Sequence, residues 1–496
     1  MISRRRLLVA AAAMPLALSG AACVRGQASS TPVTTRPLPI PPLSAGRVGV
    51  DGVRRFELAA QPGVTEMLPG RSTATWGYNG SILGPTLRAR RGERVAFTIT
   101  NNLPETTSVH WHGMRVPARY DGGPHQSIEP GATWEPDWTV EQHAATLWYH
   151  PHPHGSTEKH VYRGLSGLFL IDDDIADGLD LPRRYGVDDI PLVIADRRFT
   201  SGGRLDEADD SKYGLLGDTV ITNGIAGAHL SVSTERVRLR VLNGSSSRLF
   251  NLARSDDASF DLIATDGGLL EKPVSLKRIQ LSPGERAEIV LELSAGQTVT
   301  LRALPIEARE GLSDPATFGF DDTFDILTLR PESTLSASPG LPETLTTITP
   351  LVDAATPANR SFELQWYMIN GQRMDMNRID LVVPVDTTEV WSIRNVDNWP
   401  HNFHVHDVQF QVISIDGRTP PPALSGWKDT IYTEPGRTYN VGMRFSGHAD
   451  PVNPYMYHCH LLHHEDQGMM GQFLVLAPGQ QPAPMPMGGN HSGGGH

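Results

Sequence analysis

The stretch "RVRLRVLN", Arg236 to Asn243, alternates charged and apolar side chains for six residues, adds a leucine and then stops at an asparagine. Alternation of period two is the mark of a half-buried strand. The same plan recurs on either side, in "RVAFTITNN" (94–102), with its asparagine at Asn101, and in "EVWSIRN" (389–395), ending at Asn395. Each run is preceded by an Asn-Gly turn, at Asn79-Gly80, Asn223-Gly224 and Asn370-Gly371, and followed by a Pro-Gly turn, at Pro130-Gly131, Pro283-Gly284 and Pro435-Gly436. Long helical periodicity is absent. The repeat predicts an all-β chain of three β-sandwich domains of similar topology.

Composition agrees with that division. The 496 residues exceed what one core supports, and 48 Gly with 39 Pro suit many short strands joined by turns. A net charge of −12 argues against nucleic acid and anionic membrane surfaces as partners. Only Cys23 and Cys459 are present, so no disulfide framework holds the molecule together.

The first 23 residues are expected to be an export signal: Arg4 to Arg6 precede an apolar run from Leu7 to Leu18 that is too short to span a bilayer. "SRRRLL" resembles a twin-arginine signal, which carries folded cargo; an ordinary secretory signal is the alternative. Cys23 is a candidate lipid anchor, although Gly20 stands where a lipobox usually has Leu. The expected location is therefore outside the cytoplasm: periplasmic, on the cell surface or secreted. Residues 24–46 read as a Pro/Ser/Thr linker, 47–175 as domain 1, 186–332 as domain 2, 355–478 as domain 3, and 479–496 as a flexible tail carrying Met485, Met487, His491 and His496.

The repeat also locates the chemistry. Nine residues after Asn101 stands His110 in "HWHG", and nine after Asn395 stands His404 in "HVH", but the same offset from Asn243 falls on Leu252. Further on, "WYHPHPHG" carries His150 and His152, and "YHCHLL" carries His458 and His460, with Pro151 in one place and Cys459 in the other. Residues i and i+2 of a strand point to one side, so each HxH pair aims two imidazoles at one place while the residue between faces away. Four converging pairs offer eight nitrogens, too many for one ion and enough for a cluster of three. Cys459 faces a different metal, and a thiolate with two imidazoles and a weak thioether is the blue-copper set, for which His401, His464 and Met469 are the available partners. A structural zinc site would want several cysteines. His125, His143, His160, His229 and His448 read as ordinary core or surface histidines, and His154 and His463 as neighbours of the motifs rather than ligands.

Together "HWHG", "WYHPHPHG", "HNFHVH" and "HCHLLHHEDQGMM" resemble the multicopper oxidases of the bacterial laccase and cuprous oxidase type, over roughly residues 47–478. The resemblance implies three cupredoxin-like domains and four copper ions. It implies a type 1 copper on His401, Cys459, His464 and Met469, a type 2 copper on His110 and His404, and a type 3 pair on His112, His150, His152, His406, His458 and His460, with the cluster between domains 1 and 3. Dioxygen would be the acceptor, and phenols or aromatic amines, or alternatively Cu(I), the donors. It also suggests Glu465 and Asp121 as carboxylates that feed protons to the cluster.

One departure concerns the donor. Cuprous oxidases commonly insert a Met-rich segment over the type 1 site, whereas Ile306 to Tyr367 contains no methionine. Nothing recognisable then blocks bulky aromatics from the edge of the type 1 histidines. Asp397, four residues before His401, is a candidate acceptor for a phenol proton, with a turn-capping role as the alternative. A copper-free scaffold such as the cell-division relatives would lack ligands, and none is missing; a copper nitrite reductase would not need eight cluster histidines.

Overall fold

The structure, a computed structural model, describes residues 35–208 and 212–483. The export signal, Cys23 and the Met/His residues of the tail lie outside the described residues. The regular structure of the described residues is almost entirely β, and its six principal sheets fall into three face-to-face pairs in sequence order. Each pair closes over its own apolar core. Phe56, Phe97, Trp111 and Phe169 lie in the first, Val237, Leu252, Ile289 and Leu329 in the second, and Phe362, Trp391, Phe403 and Phe473 in the third. Leu252, which stands where the outer domains have a histidine, is fully buried in the second core. That domain spends the position on packing.

The repeat has a physical cause at its asparagines. Asn101, Asn243 and Asn395 each accept a hydrogen bond at Oδ1 from the amide two residues on, at 2.9, 3.0 and 2.9 Å. Each also donates through Nδ2 to the carbonyl two residues before the Pro-Gly turn, that of Ile128, Leu281 or Thr433. The turn glycine then returns its own amide to the asparagine carbonyl in all three domains. One side chain thus fastens strand to turn, which only a short amide with both donor and acceptor can do. The Asn-Gly turns repeat as faithfully. Asn79, Asn223 and Asn370 all adopt positive φ, 57°, 47° and 52°, a region that asparagine tolerates better than most residues. Each accepts from a strand amide, of Ala59, Val193 or Glu363.

The Pro-rich stretch expected as a linker differs from expectation. Arg36–Pro37 pairs with Ala228–His229, and Leu43–Ser44 pairs with Thr86–Leu87. Proline is tolerated at sheet edges, where its missing amide costs no ladder bond. Composition read this segment as unstructured because its strands are only two residues long.

Candidate metal centre

Strand pairing brings the HxH motifs together before any tertiary contact is considered. His110–His112 runs antiparallel to Ala145–His150 with His110 opposite His150, and His401–Val405 runs antiparallel to Tyr455–His458 with His404 opposite His458. Directly opposed residues hold their Cβ atoms about 5 Å apart on one face. The residues between the histidines turn the other way, Trp111 into the domain 1 core and Cys459 into that of domain 3.

The two domains then meet ring against ring. His110 stacks on His406 with centroids 3.8 Å apart, and His112 stacks on His404 at 3.7 Å. His152 Nε2 and His406 Nε2 each lie 3.2 Å from His458 Nε2, and His460 Nε2 lies 3.4 Å from His150 Nε2. All eight histidines are at most 1 % exposed.

These residues fit metal ions. Burial and neighbouring rings push the pKa values of His110, His112, His150, His404 and His406 well below the usual histidine value, and those of His152 and His460 to about 4 and about 3. Neutral imidazole is the form that binds metal. The outer nitrogens are already committed: His110 Nδ1 donates to the Asp121 carbonyl, His404 Nδ1 to that of Asp429, and His112 Nε2 to the Asp429 carboxylate at 3.0 Å. The inward atoms His110 Nε2, His112 Nδ1 and His404 Nε2 are buried with no protein partner. Bare lone pairs facing one another without water are costly unless a cation lies among them.

The second set is smaller. Cys459 Sγ lies 3.8 Å from His401 Nδ1 and 3.7 Å from His464 Nδ1, and those nitrogens are 3.1 Å apart. Strand His401–Val405 supplies one imidazole and the short helix Leu462–Asp466 the other. Met469 is fully buried in the same core, and its carbonyl accepts the Cys459 amide at 3.0 Å, which folds the loop back on the thiol. Burial pushes the Cys459 thiol up to about 12, so a cation is what would keep it a thiolate.

The candidate carboxylates both lie against the eight-histidine set. Asp121 Oδ2 accepts from His406 Nδ1 at 2.7 Å. Glu465 sits between His152 Nδ1 and His458 Nδ1, at 3.3 and 3.2 Å. Burial works to raise its pKa, but these two rings outweigh it and hold Glu465 well below the carboxylate range. Asp397 belongs to the smaller set. One of its oxygens lies 3.4 Å from His401 Nε2 and also accepts the Trp366 amide, while the other accepts the Asn398 amide.

The open edge expected at the type 1 histidines is not there. His401 and His464 are both fully buried. Tyr367 and Trp399 pack against His464, with ring centroids 5.5 and 6.1 Å from it, and Tyr213 packs on Trp399 in turn. The absence of a Met-rich insert thus leaves an aromatic cover, formed by residues from three separate parts of the chain that no local motif connects.

Sequence reasoning also missed a buried charge network. Arg286 of domain 2 is fully buried and donates to both Asp429 oxygens, at 2.7 and 2.6 Å. Asp429 and Thr430 hold His112 and His404 from behind. Gly284, at φ +86°, lets the domain 2 turn approach His460 so closely that a Cβ there would lie 3.1 Å from its ring. Asn402 ties the two sets to the same turn: its Oδ1 accepts the His460 amide and lies 3.5 Å from Cys459 Sγ, while its Nδ2 donates to the Pro283 carbonyl. The domain without candidate ligand histidines is the brace for those that have them.

Comparison with known proteins gives the same picture. Residues 60–175 and 341–479 match family models described as multicopper oxidase. The multicopper oxidase mco of Staphylococcus haemolyticus is 38 % identical over 447 residues, 88 % of this chain and 91 % of its own. The cell division protein FtsP of Escherichia coli is 34 % identical over 486 residues, 96 % of this chain and 99 % of its own. The crystal structure of a laccase from Pediococcus acidilactici superposes with a TM-score of 0.81 at 35 % identity, covering 89 % of this chain and 94 % of that one. With three cupredoxin-like domains and buried histidine sets made to hold copper, the chain belongs to the bacterial multicopper oxidases.

Proposed function

We propose that the protein is a laccase-like oxidase that couples one-electron oxidation of phenols or aromatic amines to the four-electron reduction of dioxygen to water, using one type 1, one type 2 and a pair of type 3 coppers. The observation that carries this reading is the junction His458-Cys459-His460: the thiol belongs to one ligand set and both adjacent imidazoles to the other. Bound copper would supply the one-electron acceptor at Cys459 and the site where dioxygen is reduced.

The remaining roles belong to the chain itself. His401, Cys459, His464 and Met469 would hold the type 1 ion; His110 and His404 the type 2 ion; His112, His150, His152, His406, His458 and His460 the type 3 pair. Asp429 and the Asp121 carbonyl hold ring tautomers, keeping the free lone pairs inward. Glu465, between two ring nitrogens, and Asp121, which accepts a hydrogen bond from His406 Nδ1, would feed protons to the cluster through water. Tyr367 and Trp399 exclude water from the type 1 histidines and offer aromatic faces on which a phenol can stack. Asp397 keeps His401 oriented through its outer nitrogen. The arginine-rich start of the chain supports an exported enzyme, periplasmic, surface-bound through Cys23 or secreted.

Oxygen uptake tests the reading. The copper-loaded protein is expected to consume oxygen with a methoxyphenol and no added copper. Efficient oxidation of Cu(I), with phenols consumed only when excess copper is supplied, would instead make it a cuprous oxidase.

A further inference from the structure

A cleft apart from the metal centre lies in the seam between domains 1 and 3, with a volume of about 180 Å³. It contains none of the histidines of the metal sets. Three guanidinium groups face it: Arg91, from the turn after strand Thr86–Arg90; Arg115, just past strand His110–His112; and Arg444, on strand Thr438–Phe445. Arg115 lies 3.6 Å from Glu141, the one acid lining the cleft. Arg91 instead faces the His143 ring, at 3.3 Å, and among the described residues neither Arg91 nor Arg444 pairs with a carboxylate. In a chain of net charge −12, two uncompensated arginines on one cleft are against the general trend.

Two further donors are unpartnered there. Arg115 Nε and Gln409 Nε2 are buried and have no hydrogen-bond partner, and an unmade hydrogen bond of this kind costs about 1–3 kcal/mol. Every one of these groups donates, so the missing ligand must accept. Part of the lining is not polar: Trp427 stacks on the His143 ring, with centroids 6.5 Å apart, and Leu351 adds an aliphatic side chain. A bare phosphate would use the guanidiniums and waste this part.

We propose that the cleft is a binding site for a small aromatic carboxylate of benzoate size, its carboxylate on Arg444 and Arg91 and its ring against Trp427. Guanidinium groups match a carboxylate with paired donors, and an indole face favours a flat ring over an aliphatic one. The cleft also adjoins the metal centre at one remove. Gln142 in its lining donates to the Gly113 carbonyl next to His112, and Trp427 precedes Lys428 and Asp429, so a bound acid would bear on the segments that orient His112 and His404.

Calorimetric titration of the copper-loaded protein with benzoate tests this. One saturable site per chain is expected, weakened about tenfold, the worth of one charged hydrogen bond, in Arg444→Gln and in Arg91→Gln. Both arginines are exposed, so these variants should fold. Trp427→Leu should also weaken benzoate, and inorganic phosphate should bind at least about tenfold more weakly than benzoate. Benzoate binding unaltered in both arginine variants would place it on copper instead and overturn the proposal. So would the absence of saturable binding, or phosphate binding as tightly as benzoate.

Discussion

Cys459 is the residue on which the two proposed metal sets depend. Replacing it by serine removes the thiol beside His401 and His464 but leaves the eight other histidines and their outer hydrogen bonds in place. Cys459→Ser is therefore expected to lose the intense visible absorption of a copper–thiolate bond while retaining the other coppers, and a variant that stays blue would show the ligand to be misassigned. Met469 can be tested separately, because a thioether favours Cu(II): Met469→Leu should raise the type 1 reduction potential, and an unchanged potential would mean that the sulfur is not a ligand. For Asp397, the asparagine variant preserves the turn but is a poorer acceptor for His401 Nε2. Phenol turnover should fall about tenfold in Asp397→Asn with the fold intact; a loss of melting temperature alone would make the residue a turn cap only. These residues were legible in the sequence because the period of a strand and the length of one loop suffice to bring them together. Asp429 was not, since it meets His112 across 317 positions of chain.

At the scale of the strand and turn, the repeated asparagines explain why three stretches with different chemistry share one architecture. Asn243 has no part in metal binding, so its replacement isolates the structural role. Asn243→Ala should leave two carbonyls and one amide without partners and cost about 1–3 kcal/mol in denaturant unfolding, with copper content unchanged once folded. A neutral effect would show that the turn is held by its backbone alone. The segment Lys428–Thr430 is the other element with a definite task. Asp429→Asn should leave Arg286 buried and half-compensated and loosen the His112 and His404 rings, lowering copper affinity about 10–100-fold in competition with a chelator. Equal affinity would reduce the network to packing. The strands themselves were readable from alternation, whereas this network was not: its members are single charged residues, and a charged residue in a strand usually faces solvent.

Across the whole molecule, the division of labour is between two domains that carry the proposed ligands and one that braces them. The repeat made the domain without candidate ligand histidines visible in the sequence, but not why the molecule keeps it. Its Pro-Gly turn touches His460 and Asn402, and its Arg286 neutralises Asp429, so it holds the seam where domains 1 and 3 share their histidines. Proton delivery belongs to this scale too, because Glu465 joins histidines of both outer domains. In Glu465→Gln, oxygen reduction should slow while anaerobic reduction of the type 1 site by donor stays nearly intact; equal slowing of both would move Glu465 out of the proton path. The kinship with a cell division protein as well as with laccases makes copper content the decisive quantity. Metal analysis of the reconstituted protein, freed of loosely bound ions, should find about four coppers per chain, one for the thiolate set and three for the histidine cluster. None retained, or only two, would contradict the account.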